Sequence, residues 1–325
     1  MSIWFLDEDK KILFKKNIAV DVTYSGFDIT NGGQNEVPSY AIMYTDKDYD
    51  DLFYMGWYAT DNAEYFQKVN SIKEDFYITD LENKKIVNFG DSLFGNYSGD
   101  TSISGYIGAN LKNTNVVNAG FGGCRMSQRN DTTWNAFSMC NLADAICDND
   151  WTLQDAAVND ETWSSMPSYF PTRLAALKLV NFNNVDLITI AYGTNDYTAN
   201  VPLDNLSDLD DKSTLAGALR YTINKFQETF PDLRILVLSN TWRYFPNEDN
   251  ITSDTKNYGN GTGIDYKNCI LNTSKSMRIP CLDSYENVSL SLNNAENYME
   301  DGTHLASKGR KLYADIITGK IRTLY

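Results

Sequence analysis

A serine, a histidine, a carboxylate and an amide in this chain have types and spacings that could carry acyl transfer. Ser92 lies in Gly90-Asp91-Ser92-Leu93, and His304, the single histidine, closes Asp301-Gly302-Thr303-His304. A serine hydroxyl attacks an ester only when a base takes its proton, and the base needs a third group to hold its tautomer. Imidazole is the side chain whose ordinary titration falls near neutrality, so His304 is the base on offer, with Asp301 close enough in sequence to orient it. The oxyanion that forms in such an attack needs N–H donors. The Ser92 backbone, a glycine of Gly120-Phe121-Gly122-Gly123, and the Asn195 side chain in Gly193-Thr194-Asn195-Asp196 supply three.

Each piece alone has a plainer explanation. Gly-Asp-Ser-Leu is a common turn sequence, a lone histidine is often structural, and a pair such as Gly122 and Gly123 suits any tight turn. Asp91 and Asp196 read better as residues that brace their loops than as catalytic acids. The elements around these clusters decide the matter. Apolar runs at 85–89, 115–118, 185–190, 233–238 and 278–281 read as strands. Helical patterns fall between them near 101–112, 168–182, 212–229 and 262–276, with a last one near 305–321. Short β runs alternating with longer helices predict a parallel sheet covered on both faces. In such sheets the ligand sits at the carboxyl ends of the strands. All four clusters follow predicted strands, so they project toward one edge. The stretch 124–165 reads as an insertion of helices with a solvated acidic face.

Residues 1–83 have a different texture and read as a small, mostly β domain with a binding or anchoring role. Ile12-Leu13-Phe14 and Ala19 to Tyr24 look like strands. Turns follow at Thr30-Asn31-Gly32-Gly33 and Asp46-Lys47-Asp48, and aromatic residues crowd Asp51 to Tyr58. The expected division is therefore 1–83 and 84–325.

Composition narrows the partners. A net charge of -15 repels phosphate backbones and argues against nucleic acid. The five cysteines lie far apart, and with one histidine they form no metal cluster at usual spacing, so they read as reduced thiols. No apolar run approaches the roughly 18 residues of a membrane span. The start of the chain lacks the basic and apolar regions of a secretory signal. The 21 tyrosines and 6 tryptophans, with abundant asparagine, tilt the partner toward carbohydrate. This acidic style suits a cytoplasmic protein or a bacteriophage tail or baseplate component. The sequence leaves the oligomeric state open.

On these motifs the span 84–325 resembles the SGNH hydrolases, also called GDSL esterases and lipases. Gly90-Asp91-Ser92-Leu93 is similar to the family's nucleophile segment, which implies Ser92 as nucleophile and first oxyanion donor. Val116 to Gly123 is similar to its second motif. Register from Asn118 implies Gly123 as the oxyanion glycine, ahead of Gly120 or Gly122. Gly193-Thr194-Asn195-Asp196 implies Asn195 as the amide donor, and Asp301-Gly302-Thr303-His304 resembles the family's Asp-x-x-His segment. Two positions depart from the pattern: Leu305 replaces a frequent proline, and Cys124-Arg125 replaces a common Asp-Thr. The resemblance implies a flavodoxin-like three-layer α/β/α sandwich with a five-stranded parallel sheet. It also implies no metal, no cofactor, and an acyl-serine intermediate resolved by water.

The long connection from Thr241 to Gly261 follows the fourth predicted strand and is expected to overhang Ser92. Trp242 and Tyr244 are candidates to stack on a sugar ring, Arg243 to meet a hydroxyl or carboxylate, and Arg125 to face the substrate. No extended apolar lid is evident. The favoured substrate is therefore a short-chain, O-acetyl ester on a carbohydrate. The alternatives are a lipase or thioesterase acting on small lipid esters, and a non-catalytic carbohydrate-binding phage tail module.

Overall fold

The computed structural model describes strands Ser2–Leu6, Ile12–Asn17 and Tyr40–Tyr44, and all residues from 81 to 325. By internal contacts the chain divides into Met1–Thr79 and Asp80–Tyr325. In the first unit β1 (Ser2–Leu6) pairs antiparallel with both β2 (Ile12–Asn17) and β3 (Tyr40–Tyr44). The strand expected at Ala19 to Tyr24, the two turns that follow, and the aromatic stretch Asp51 to Tyr58 lie outside the described residues.

The second unit is built on β4 (Lys85–Gly90), β5 (Asn115–Gly120), β6 (Leu187–Ala191), β7 (Arg234–Leu238) and β8 (Cys281–Leu282). Its sheet is all parallel, in the order β5-β4-β6-β7-β8. Successive side chains of a strand face opposite sides, and the core divides accordingly. Val87, Phe89, Ile188, Ile190 and Val237 pack on one face. Ile86, Leu187, Leu236 and Leu238 pack on the other. Burial of each such side chain contributes roughly 1.5–3 kcal/mol.

Eight helices matter here: α1 (Ser92–Gly95), α2 (Ile103–Asn110), α3 (Met139–Asp148), α4 (Phe170–Lys178), α5 (Thr194–Thr198), α6 (Leu215–Thr229), α7 (Gly263–Ser276) and α8 (Ser307–Arg322). Leu142 of α3, Leu174 of α4, Ile223 and Phe226 of α6, and Ile270 of α7 cover the first face. Ile107 of α2 and Tyr313, Ile317 and Ile321 of α8 cover the second. The result is the expected three-layer α/β/α sandwich. Hydroxyl caps start α2 and α6: Ser102 accepts from the Gly105 N–H at 3.0 Å, and Thr214 from Gly217 at 3.1 Å.

One strand is shorter than its apolar pattern. Strand character expected over 278–281 is confined to Cys281–Leu282. Arg278 leaves α7 with φ 60°, the Ile279 N–H still bonds back to Ser274, and Pro280 has no N–H to give. Only the Pro280 carbonyl joins the ladder, accepting from Val237 at 3.0 Å. The predicted insertion forms α3 and two short helices, Thr132–Asn135 and Thr152–Val158. All five cysteines are free thiols. Among the described residues, no helix is long and apolar enough to cross a membrane.

This strand order reverses direction of growth beside β4, between β5 and β6. That is the switch point at which loops from neighbouring strands diverge and leave a crevice. Gly90 lies level with Gly120 of β5 and Ala191 of β6. Ser92, the Gly120–Gly123 loop and Asn195 therefore leave the sheet side by side.

Candidate active site

Ser92 occupies the first position of α1, immediately after its N-cap, Asp91. The Asp91 carboxylate accepts from the Leu93 N–H at 3.0 Å. The turn is tight because β4 ends on a glycine: a Cβ at Gly90 would lie 2.7 Å from the Phe94 ring. N–H groups in a first helical turn have no intrahelical acceptor. The Ser92 N–H thus points out of the helix beside its own hydroxyl.

Across the crevice, His304 Nε2 is 2.9 Å from Ser92 Oγ. His304 Nδ1 is 2.7 Å from Asp301 Oδ2. Asp301 Oδ1 also accepts from the backbone N–H of Thr303 at 3.0 Å and of His304 at 2.7 Å. Burial pushes the Asp301 carboxyl up, but these bonds from His304 and Thr303 outweigh it and hold the group below its usual range. An ionised Asp301 accepts a hydrogen bond from Nδ1–H, which leaves Nε2 as the acceptor for the Ser92 hydroxyl. The His304 side chain is 26% exposed, so an incoming ester can reach it.

Two backbone contacts hold this turn. The Glu300 N–H donates to the His304 carbonyl at 2.8 Å, and the Tyr244 N–H donates to the Gly302 carbonyl at 3.0 Å. Gly302 has φ 79°, and a Cβ there would stand 2.5 Å from the Tyr244 carbonyl oxygen. A side chain at that position would push the histidine turn off the 241–245 segment.

Among the glycines after β5, the hydrogen bonds discriminate. The Gly120 N–H is taken by Asn118 Oδ1 at 2.9 Å, and the Gly122 N–H by the Tyr169 hydroxyl at 2.8 Å. The Gly123 N–H donates to no acceptor among the described residues, and its φ of 75° suits glycine. Asn195, in the first turn of α5, donates one amide hydrogen to the Cys124 carbonyl at 2.8 Å. That bond fixes the amide plane and leaves its second hydrogen free. Asp196 braces the same loop, accepting from the N–H groups of Met126 and Ser127 and from the Ser127 hydroxyl at 2.6 Å.

Two residues outside the motifs contribute. Tyr169, at the start of α4, reaches Gly122 and lies 3.4 Å from Asn96 Oδ1, beside Ser92. Arg173 donates to Asn118 Oδ1 at 2.6 Å, to the Gly120 carbonyl at 3.0 Å and to the Gly95 carbonyl at 3.3 Å. It thereby ties the serine turn to the glycine loop. Their position in an ordinary amphipathic helix carries no mark in the sequence, which is why motif reading passes over them.

The 241–261 connection borders the Asn195 side, where the Tyr197 hydroxyl donates to the Lys256 carbonyl at 2.8 Å. Its expected sugar-stacking role does not hold for Trp242. That residue is 5% exposed, packs in the core, and donates its indole N–H to Asp254 at 2.9 Å. A ring spent on core packing has no face left for a ligand. Tyr244 is half-buried and stacked on Trp242 at 6.1 Å. Arg243 is half-buried, with Nη1 on the Thr198 hydroxyl at 3.0 Å. Arg125 is half-buried, and its Nε has no partner.

Asp91 is fully buried within reach of the His304 charge, and burial pushes its carboxyl from 3.8 up to about 6. Between those values the folded chain keeps a proton that the unfolded chain releases, so stability falls as pH rises through the window. Above it the ionised carboxylate costs the fold on the order of 3 kcal/mol. Asp91→Asn keeps an acceptor for the Leu93 N–H but carries no charge. We expect urea denaturation to show the variant more stable than wild type at pH 8, with the difference shrinking toward about pH 4. An equal difference at both pH values would remove the buried carboxylate as the cause.

Comparison with curated proteins returns no match. Among solved structures, one at 23% identity superposes with a TM-score of 0.56, over 76% of this chain and 99% of the other. A Lactobacillus plantarum protein at 18% identity gives 0.53, over 75% and 99%. A possible lipase from Chitinophaga pinensis, also at 18%, gives 0.50, over 74% and 98%. At these identities the likeness is one of fold. The family model described as GDSL-like lipase/acylhydrolase matches residues 89–312, over half of the chain and all four motif loops. The chain belongs to the GDSL-like lipase/acylhydrolase family.

Proposed function

We propose that this protein is a serine esterase that removes short acyl groups, acetyl foremost, from a carbohydrate. The observation that carries this reading is the 2.9 Å approach of His304 Nε2 to Ser92 Oγ, with Asp301 on the other ring nitrogen. His304 takes the hydroxyl proton as Ser92 attacks the ester carbonyl. The N–H groups of Ser92 and Gly123 and the free amide hydrogen of Asn195 receive the oxyanion. His304 then returns the proton to the leaving sugar oxygen, which departs and leaves an acyl-Ser92. Water, deprotonated by the same histidine, repeats the sequence and releases the acid.

The carbohydrate assignment rests on the rim. The large apolar side chains exposed among the described residues are Leu153, Leu179, Leu206, Leu209 and Leu292. Leu206 and Leu209 lie farther along the connection from Asn195, and Leu292 lies in the connection that leads to His304, but none falls within the turns 90–96, 120–123, 193–198 or 300–305 that present the candidate site residues. Tyr169 and Asn96 border Ser92 instead, offering a phenol and an amide as hydrogen-bonding groups. The test is acetate release from a panel of acetylated glycans, set against p-nitrophenyl esters of increasing chain length. We expect turnover of acetylated glycans and a fall in kcat/KM beyond short acyl chains. A preference for long chains would replace this reading with a lipase.

A further inference from the structure

In a chain of net charge -15, a half-buried arginine without a carboxylate partner calls for a reason. Arg129, Arg220 and Arg310 each pair with a carboxylate. Arg173, Arg234 and Arg322 donate to carbonyl oxygens. Arg243, like Arg125, has neither among the described residues. Its guanidinium lies over the Phe245 ring at 4.8 Å, and Nη1 donates to the Thr198 hydroxyl at 3.0 Å. Its Nε is buried with no hydrogen-bond partner. Removing a charge from water without compensation is costly, and burial pulls Arg243 below the usual guanidinium range.

Its place relates that charge to the chemistry. Thr198 stands one turn along α5 from Asn195, so the hydroxyl that orients Arg243 sits on the helix that carries the proposed oxyanion amide. The next residue, Tyr244, donates its N–H to Gly302 in the turn that carries Asp301 and His304. Arg243 is therefore held between the two halves of the site, and the ring and the threonine fix the plane of its fork. A planar, oriented guanidinium with free N–H groups matches a carboxylate in shape and charge.

We propose that Arg243 selects an anionic substrate: the ester is carried by an acidic sugar whose carboxylate docks on this guanidinium. This rests on the esterase reading above, which confines the acyl group to a short neutral one and so places the charge on the alcohol part. The matched probes are acetylated methyl glucuronide and acetylated methyl glucoside, which differ in carboxylate against hydroxymethyl. Wild type is expected to show kcat/KM about tenfold or more higher for the glucuronide, as a charge-assisted contact allows. Arg243→Gln should bring that ratio near one, chiefly through KM for the glucuronide, and Arg243→Lys should retain part of the preference. If Arg243→Gln fails to fold, unacetylated methyl glucuronide should still inhibit wild type more strongly than methyl glucoside. A wild-type ratio near or below one, equal inhibition by the two sugars, or a ratio unchanged in folded Arg243→Gln overturns the proposal. If p-nitrophenyl acetate is still hydrolysed in that case, the esterase reading stands without it. If no acetyl ester is hydrolysed at all, the underlying reading fails.

Discussion

Ser92→Ala is expected to lower kcat/KM for p-nitrophenyl acetate by about four orders of magnitude or more. The hydroxyl would supply the bond-forming atom, and no other described hydroxyl lies within hydrogen-bonding distance of His304 Nε2. The substitution is also gentle on the fold. Ser92 Oγ bonds only to His304, whereas the turn is held by Asp91 on the Leu93 N–H and by Arg173 on the Gly95 carbonyl. Thermal unfolding of the variant should therefore match wild type within a few degrees. His304→Ala should behave alike, because a serine without its base gains little from an oxyanion hole alone. Steady-state kinetics with a melting curve on the same sample makes the check. Near-wild-type turnover in a folded Ser92→Ala would rule out acyl-serine chemistry.

Asp301→Asn should lower kcat by about 10³–10⁴-fold while leaving KM nearly unchanged. An asparagine oxygen can still accept from the N–H groups of Thr303 and His304, so the turn survives. The amide NH2 then faces Nδ1, which must become the acceptor, and the ring proton moves to Nε2. A protonated Nε2 cannot receive the Ser92 proton. The variant also loses the negative charge that stabilises the imidazolium formed during attack. An Asp301→Ala control separates the effects: it removes the charge without imposing the wrong tautomer, so it should retain more activity than Asp301→Asn. Higher activity of Asp301→Asn than of Asp301→Ala would assign Asp301 to holding the turn, whose acceptor only the asparagine keeps, rather than to choosing the tautomer.

Much of this site is legible before folding, for a definite reason. Ser92, Gly123, Asn195 and His304 each follow an apolar strand pattern by only a few residues, except His304, which a longer connection brings in after β8. A parallel sheet sends all its strand ends to one edge, so order along the chain predicts convergence in space. The choice among three glycines needed the structure, because it depends on which N–H groups Asn118 and Tyr169 consume. Trp242 went the other way. Its place in an aromatic run suggested ligand stacking, but whether an indole faces a crevice or Asp254 depends on how the 241–261 connection folds back.

By itself the sequence determined the fold class and the order in which the sheet would present the candidate serine, glycine, asparagine and histidine. Strand and helix periodicity and the glycine turns are local properties, written in neighbouring residues. Tertiary structure alone decided the 2.9 Å serine–histidine contact, the role of Arg173 in joining two loops, and the unpaired state of Arg243. These depend on residues 45 to more than 200 positions apart, set at ångström distances by packing. Local patterns carry no information on separations of that kind.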